Sequence, residues 1–342
     1  MKGMHGGDIY RNQVQLDFSV NVNPLGMPEG MEEALHRAVE HCGQYPDISA
    51  RRLREAVSGM LEVPPEYLVF GSGASELFMA AVHALSPRRT VIPVPSFYGY
   101  EYAARAAGGE ILYYPLKEEK DFLPREDLQD LLNGETDLLF LANPNNPTGK
   151  RIPRTQLREL LRICRDRGII VVLDECFIEF CGQEHSLLPE LEDYDNLLLV
   201  RAFTKICSIP GVRLGYLVCS NPVLSERIRR QLPEWNLSVF AQAAGLVCAE
   251  QTAFIRRTAA YVKAERELLT RQLEELGLRV FPGEANFILI HSEKDLYGEL
   301  LKRGILIRDC GNFRGLAGGY YRVAVKNRQD NERLRKAIGE LF

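Results

Sequence analysis

The amino-acid sequence predicts an α/β fold in which a large domain with a mainly parallel sheet is joined to a smaller α+β domain. From about residue 50 to residue 235, short apolar segments alternate with segments whose apolar residues have helical spacing, the pattern of parallel strands covered by helices on both faces. A second set of short strands and helices follows a long helical stretch near residues 236–276. We therefore expect an N-terminal arm and part of the small domain in residues 1–45, the large domain in 46–235, and the C-terminal small domain in 236–342.

The N-terminal part begins with a polar, glycine-containing arm over residues 1–12. It continues as the extended segment 16–26, which ends in a turn because Asn23 precedes a proline and avoids helical dihedrals. Apolar residues at helical spacing predict a helix over 32–42, and Tyr45-Pro46-Asp47 ends it.

The predicted strands of both domains are short apolar runs. In the large domain we place them at 68–70, 90–94, 111–114, 138–141, 169–173, 197–200 and 214–218. In the small domain we place them at 287–290, 305–308 and 321–325. Because open α/β sheets bind ligands outside the carboxyl ends of their strands, the residues that directly follow each strand are the first candidates for a functional site.

The composition argues against several classes of protein. The 342 residues are 46% hydrophobic and carry a net charge of −4, so no basic surplus attracts nucleic acid or acidic lipid. We see no signal peptide and no apolar run of transmembrane length, and therefore expect a cytoplasmic protein with reduced thiols. Eight scattered cysteines without a Cys-x-x-Cys pair, and six histidines without ligand spacing, predict no metal site.

Residues 201–216 contain the strongest candidate for a catalytic group. Lys205 follows an apolar strand, with a hydroxyl beside it at Thr204 and a guanidinium eight residues later at Arg213. A lysine desolvated at such a position has a lowered pKa, and its free amine forms a Schiff base with an aldehyde. Thr204 and Arg213 are suited to a phosphate. An aldehyde and a phosphate on one ring indicate pyridoxal 5′-phosphate (PLP); the alternative is a surface lysine after a strand.

A glycine-containing loop offers a second phosphate contact. Gly71-Ser-Gly-Ala-Ser-Glu76 follows a strand and opens a helix, so backbone amides and a helix N-terminus are available to a phosphate. Glu76 replaces the third glycine of the dinucleotide fingerprint, which argues against a nucleotide-binding oxidoreductase. A plain N-cap at Ser75 is the alternative.

Two further strand ends offer contacts to the cofactor ring. In Pro95-Ser-Phe-Tyr-Gly-Tyr100, Phe97 is our first choice and Tyr100 our second for stacking on the ring, and a core aromatic is the alternative. The turn-forming residues of 143–149 hold Asn146, whose amide is placed to donate to the ring oxygen. A turn selected only for its dihedral angles is the alternative.

Asp174, at the end of the strand 169–173, is the candidate partner of the ring nitrogen. A carboxylate at the end of a buried strand is costly unless it is paired. A protonated pyridine nitrogen pairs it and keeps the ring electron-poor. A helix-capping aspartate is the alternative.

These motifs together resemble the fold-type I PLP-dependent enzymes over essentially the whole chain. Within that fold type, the chain is similar to the threonine-phosphate decarboxylases of cobalamin synthesis and to their sister family, the histidinol-phosphate aminotransferases. The segments that favour the decarboxylases are His5-Gly-Gly-Asp8, residues 17–28, Phe177 where the aminotransferases usually have tyrosine, Ile307-Arg-Asp-Cys-Gly-Asn312 and Tyr320-Tyr-Arg-Val-Ala-Val325.

The resemblance implies a role for each candidate residue. Lys205 carries the Schiff base, Asp174 pairs with the ring nitrogen, and Asn146 contacts the ring oxygen and the substrate. The residues implied in binding the cofactor phosphate are Gly73, Ala74, Ser75, Thr204, Arg213 and, from the partner subunit of a homodimer with shared active sites, Tyr45. The residues implied in binding the substrate are Arg308 and Arg322 for its acidic groups and His5 and Asn23 for its phosphate. Surface cations at strand edges are the alternative for the two arginines, although such a pair in one small domain suits a dianion.

The activity implied by the resemblance is decarboxylation of a phosphorylated amino acid, from L-threonine-O-3-phosphate to (R)-1-aminopropan-2-yl phosphate. Histidinol-phosphate aminotransfer, and decarboxylation of phosphoserine or another phospho- or phosphono-amino acid, are the alternatives. The bond held perpendicular to the ring is the one that breaks, so the same residues permit either reaction. Only seven residues separate His5-Gly-Gly-Asp8 from Leu16-Asp-Phe18, a shorter arm than is usual in the relatives, which leaves the substrate open.

Overall fold

The computed structural model describes residues 5–342, so the first four residues of the predicted arm lie outside it. In chain order the strands are β1 (Leu16–Asp17), β2 (Leu68–Gly71), β3 (Arg89–Val94), β4 (Glu110–Pro115), β5 (Leu138–Ala142), β6 (Ile170–Asp174), β7 (Leu197–Ala202), β8 (Gly215–Val218), β9 (Arg279–Phe281), β10 (Phe287–His291), β11 (Ile305–Leu306), β12 (Arg308–Asp309) and β13 (Tyr320–Ala324). The helices are α1 (Met31–Val39), α2 (Arg51–Leu61), α3 (Ala74–Leu85), α4 (Tyr98–Ala106), α5 (Leu128–Leu131), α6 (Arg154–Asp166), α7 (Phe203–Ile206), α8 (Pro222–Arg229), α9 (Val239–Ala249), α10 (Thr252–Glu275), α11 (Leu296–Lys302) and α12 (Arg328–Gly339).

The large domain is organised around a seven-stranded sheet in the order β2-β8-β7-β6-β5-β3-β4. Strand β8 is antiparallel to both of its neighbours, and the other neighbouring pairs are parallel. Every residue of β5 and β7 is buried, because helices cover both faces of a parallel sheet. The predicted α/β fold with a mainly parallel sheet is confirmed.

The smaller domain combines both ends of the chain. Its main sheet is antiparallel, in the order β12-β13-β10-β9. Strand β1 pairs in parallel with β11, Leu16 opposite Ile305, so the N-terminal segment joins the C-terminal part. This α+β unit has the architecture that the sequence predicts, although β9 and the short β1 are strands that the apolar pattern did not reveal.

The long helical stretch near 236–276 is two helices, α9 and α10. Helix α9 packs on the large domain: a Cβ atom on its Gly245 would lie 2.3 Å from Leu53 Cδ1 in α2 and 2.8 Å from Leu214 Cδ2. The three-part division of the chain stays a prediction, and this packing favours a boundary after Ala249. Within residues 5–342, no helix is both long and apolar enough to cross a membrane.

Candidate active site

A cavity lies at the carboxyl ends of the parallel strands, beside the small domain. The predicted site residues that line it are His5, Ala74, Ser75, Phe97, Tyr100, Asn146, Asp174, Thr204, Lys205, Arg213, Arg308 and Arg322. Gly73 lies directly next to it, whereas Asn23 and Tyr45 do not line it. Residues from five different strand ends therefore meet at one place, as expected for an open α/β sheet.

Lys205 lies on α7, a single helical turn that follows β7 directly, where the sequence suggested a loop. Burial is the main cause that lowers the pKa of Lys205 from 10.5 to about 8, and the positive charges of Arg322 and Arg213 add to it. A substantial fraction of this lysine is therefore a neutral, nucleophilic amine at physiological pH.

Asp174 is the last residue of β6 and is 8% exposed. One carboxylate oxygen accepts a hydrogen bond from the Tyr100 hydroxyl at 2.5 Å, and the other accepts from the Cys176 backbone N–H at 2.8 Å. Burial raises the pKa of Asp174, and the hydrogen bonds offset part of that effect. Both donors are neutral, so a cationic group in the cavity would stabilise the ionised carboxylate.

The start of α3 forms a cradle with Arg213, made of Gly73, the α3 N-terminus and the Arg213 guanidinium. Gly73 is the N-cap, with a φ of 81°, and no side chain of residues 5–342 caps the helix; the alternative of a Ser75 N-cap is therefore wrong. A Cβ atom on Gly73 would lie 2.3 Å from Arg213 Nη2, so only glycine lets the guanidinium reach the helix N-terminus. Arg213 itself donates to the carbonyl of Ser72 at 3.4 Å.

Thr204 and Glu76 complete this region in different ways. Thr204 is buried and donates to the carbonyl of Leu214 at 3.5 Å, beside the cradle. Glu76 accepts from the Ser72 N–H at 2.6 Å and from Asn236 Nδ2 at 2.9 Å. Glu76, which replaces the third glycine of the dinucleotide fingerprint, therefore binds backbone within its own loop. The N-terminus of α3 stays available to a ligand.

The two aromatic candidates have different environments. Phe97 is partly exposed at the cavity. Tyr100, our second choice for stacking, is 1% exposed, stacks on Phe140 with 5.0 Å between ring centroids, and holds Asp174 through its hydroxyl. Its ring face is therefore occupied by the protein core, and it supports the carboxylate instead. Phe177 also lines the cavity, with its ring edge-on to that of Phe287 at 5.2 Å.

Arg308 and Arg322 are cross-strand neighbours on β12 and β13, 5% and 6% exposed. Burial lowers the pKa of both, to about 10 for Arg322. Arg322 donates to the Ser19 carbonyl at 2.9 Å and to Asn146 Oδ1, while Arg308 donates to Asn312 Oδ1 at 2.7 Å. Two adjacent buried guanidinium groups create a strongly anion-attracting wall.

The N-terminal segment contributes different residues from those expected. Asn23 is 2% exposed, and its amide donates to the Ile206 carbonyl at 2.7 Å and to Thr258 Oγ1 at 2.9 Å. Asn23 therefore stabilises α7, the helical turn that carries Lys205. The prediction that it reaches the substrate phosphate is not supported. Ser19 and Asn21 line the cavity instead. With its amide oxygen towards Arg322, Asn21 accepts from Nη1 and Nε, both at 3.2 Å.

His5 lies at the cavity with its ring 6.0 Å from that of Phe97. Partial burial lowers the pKa of His5, and the charges of Arg308 and Arg322 lower it further.

Tyr45 lies outside the cavity: it is 82% exposed, and its ring lies 4.9 Å from that of Trp235. Its predicted role requires a partner subunit and stays a prediction.

Comparisons with known proteins agree with this geometry. The family model "Aminotransferase class I and II" matches residues 13–338. The chain is 39% identical to a putative threonine-phosphate decarboxylase of Caldanaerobacter subterraneus, covering 99% of this chain and 94% of the relative. It is 36% identical to the threonine-phosphate decarboxylase of Salmonella typhimurium, covering 94% and 90%. Its fold is similar to that of the histidinol-phosphate aminotransferase from Clostridium acetobutylicum, with a TM-score of 0.90 at 31% identity and coverage of 95% and 98%.

Proposed function

Because the chain belongs to the class I and II aminotransferase family of PLP-dependent enzymes, we propose that it decarboxylates a phosphorylated amino acid, L-threonine-O-3-phosphate, to (R)-1-aminopropan-2-yl phosphate. The observation that carries the proposal is the pair of buried arginines, Arg308 and Arg322, on the wall of the cavity that holds Lys205. A phosphorylated amino acid brings a phosphate dianion, whose two negative charges neutralise both guanidinium groups.

The side chains fit PLP at both of its ends. The cradle of Gly73, the α3 N-terminus and Arg213 suits its phosphate, since a single Cβ atom would fill the approach. At the other end, the buried carboxylate of Asp174 has only neutral donors and suits a protonated ring nitrogen. When bound, PLP supplies an aldehyde and an electron-accepting ring.

The protein groups then have separate tasks. Lys205, whose pKa is lowered to about 8, provides the amine that holds the cofactor and later moves a proton. Asp174 keeps a proton on the ring nitrogen, and Tyr100 fixes the carboxylate for that purpose. Arg308 and Arg322 hold the anionic groups of the substrate in a cavity whose burial strengthens each electrostatic contact.

The choice between the two reactions depends on which anionic group of the substrate each arginine binds. If both arginines hold the phosphate, no arginine restrains the carboxylate, and loss of carbon dioxide would be favoured. If one of them holds the carboxylate, that group would be kept in place, and loss of the Cα proton with aminotransfer would be favoured. Histidinol phosphate brings the same phosphate to the arginine pair, so the arginines alone do not reject it. We rank aminotransfer second because the chain is less similar to a histidinol-phosphate aminotransferase of Geobacillus, at 34% identity, than to the two threonine-phosphate decarboxylases.

The test compares substrates on the PLP-loaded protein. L-Threonine phosphate, L-serine phosphate, and histidinol phosphate with 2-oxoglutarate are incubated separately, and carbon dioxide and glutamate are measured. Carbon dioxide from threonine phosphate without a keto-acid requirement supports the proposal. Carbon dioxide from serine phosphate alone changes the substrate, and glutamate formation moves the assignment to the aminotransferase. Lys205→Ala, which should lose both the visible colour of the cofactor and turnover, is the control.

We further propose that the active site is shared in a homodimer, because Tyr45 and the neighbouring Trp235 are large, exposed aromatic side chains. Mixing Tyr45→Ala and Lys205→Ala subunits tests this directly. A hybrid dimer with shared sites contains one intact site and regains activity that neither variant has. Activity no greater than the sum of the two variants contradicts a shared site. The expected place of the product in cobalamin synthesis stays a prediction.

A further inference from the structure

The loop between β12 and β13 orients one of the two substrate-binding arginines. Its residue Asn312 accepts a hydrogen bond from Arg308 Nη2 at 2.7 Å. The next residue, Phe313, lies beneath the Arg308 guanidinium, 5.1 Å from the ring centroid to the guanidinium carbon. The direction in which Arg308 points into the cavity therefore depends on where this loop lies.

The same loop is fastened to the large domain by Arg314. Arg314 Nε lies 3.2 Å from one oxygen of Glu101, and Nη2 lies 3.3 Å from the other, a two-point contact. The guanidinium also covers the ring of Tyr113 at 4.0 Å. These contacts join a small-domain loop to helix α4 and strand β4 of the large domain.

Two features hold the large-domain side of this contact in place. The Glu101 side chain is only 12% exposed, and Arg105 on the same helix binds it at 2.7 Å. Glycine at position 315 allows the loop to approach closely: a Cβ atom there would lie 3.2 Å from the backbone nitrogen of Pro95, and its φ of +89° disfavours other residues. The loop therefore lies against the end of β3, at Val94 and Pro95.

We propose that the Arg314–Glu101 ion pair is a positioning device that, by seating the β12–β13 loop on the large domain, sets the affinity of Arg308 for the anionic group of the substrate. Neither Arg314 nor Glu101 lines the cavity that holds Lys205. The inference rests on the proposed function in that Arg308 binds substrate. The ion pair is proposed to set the strength of substrate binding, and the proposal is the same whichever substrate bond breaks.

The expected signature is a change in substrate affinity with little change in turnover. Arg314→Gln should raise the KM, and the dissociation constant measured from the change in cofactor absorbance, about two- to fivefold, the scale of a partly exposed ion pair. The kcat and the affinity for PLP should stay within about twofold of the wild type. Arg314→Lys, which keeps the charge and loses the two-point contact, should recover part of the affinity.

Two further variants make the test specific. Glu101→Gln should reproduce Arg314→Gln, and the double variant should be no worse than either, because one contact is lost in each case. Arg105→Gln is the matched control, since it removes a guanidinium from the same carboxylate without touching the loop; its KM should stay near the wild type. Equal KM in Arg314→Gln and wild type, or a loss in the double variant equal to the product of the two single losses, overturns the proposal.

A measurement without substrate separates this inference from the proposed function. Hydrogen exchange of the backbone amides over 311–318 should be faster in Arg314→Gln and Glu101→Gln than in the wild type or Arg105→Gln. If the protein binds none of the phosphorylated amines, the proposed function fails and the exchange result still decides whether the ion pair seats the loop. Unchanged exchange overturns the inference even if the proposed function holds.

Discussion

The lowered pKa of Lys205 leads to a quantitative prediction for the capture of PLP by apoenzyme. Burial and the nearby charges of Arg322 and Arg213 lower this pKa from 10.5 to about 8. The difference corresponds to about 3 kcal/mol of preference against the ammonium form. At pH 7.5 the neutral amine is then about a quarter of the population, against about a thousandth for an ordinary lysine.

The rate of Schiff-base formation with excess PLP should therefore rise with pH and level off above an inflection near pH 8. The assay follows the visible absorbance of the cofactor after rapid mixing with apoenzyme, and butylamine measured in parallel corrects for the titration of PLP itself. Arg322→Gln removes the largest charge contribution and should move the inflection to higher pH, whereas Arg303→Gln, on the surface, should leave it unchanged. A corrected rate that keeps rising to pH 10 without an inflection refutes the reasoning.

Three other perturbations test the neighbouring groups. Asp174→Asn should retain PLP but slow turnover about 10- to 100-fold, because a charge-assisted hydrogen bond contributes roughly 1.5–3 kcal/mol; full turnover contradicts the assignment. Gly73→Ala should weaken PLP binding at least about tenfold in an equilibrium titration, because the methyl group collides with Arg213; Gly134→Ala, with nothing within 4 Å of the new atom, is the control. Burial raises the pKa of Glu179 to about 7, so the contribution of this residue to stability is fully present below pH 4.5 and is lost as pH rises through 7. Glu179→Gln should remove up to about 3 kcal/mol of that loss and melt higher than wild type at pH 8, but not at pH 5.

The sequence predicted the groups that directly follow strands, because strand ends are marked by a change from apolar to polar residues. Lys205 and Asp174 are such groups, and they lie in the same cavity. Side chains placed by tertiary packing were not accessible in this way. Tyr100 was our second candidate for stacking on the ring, yet its hydroxyl donates to Asp174. No local pattern encodes this contact between residues 74 positions apart.

The extended N-terminal segment also shows that local sequence does not predict which side chain reaches the cavity. Asn21 and Asn23 have the same side chain, and both precede a turn. Asn23 packs against α7, and its amide donates to Thr258 and to the Ile206 carbonyl. Asn21 instead lines the cavity beside Arg322. Which asparagine reaches a ligand depends on where the chain bends against residues more than 180 positions away, and spacing along the sequence does not report that.

The cavity concentrates positive charge, which favours the binding of anionic ligands and destabilises the ligand-free protein. Lys205, Arg213, Arg308 and Arg322 line it, and of the lining residues within the described part of the chain Asp174 is the only carboxylate. Burial lowers the pKa of three of these four cations, so their charged forms are costly in the ligand-free protein. A phosphate at the α3 cradle and an anionic substrate at the arginine pair offset that cost. Because ligands that bind only the folded state stabilise it, PLP should raise the melting temperature, and a phosphorylated amino acid should raise it further in the wild type but much less in Arg322→Gln.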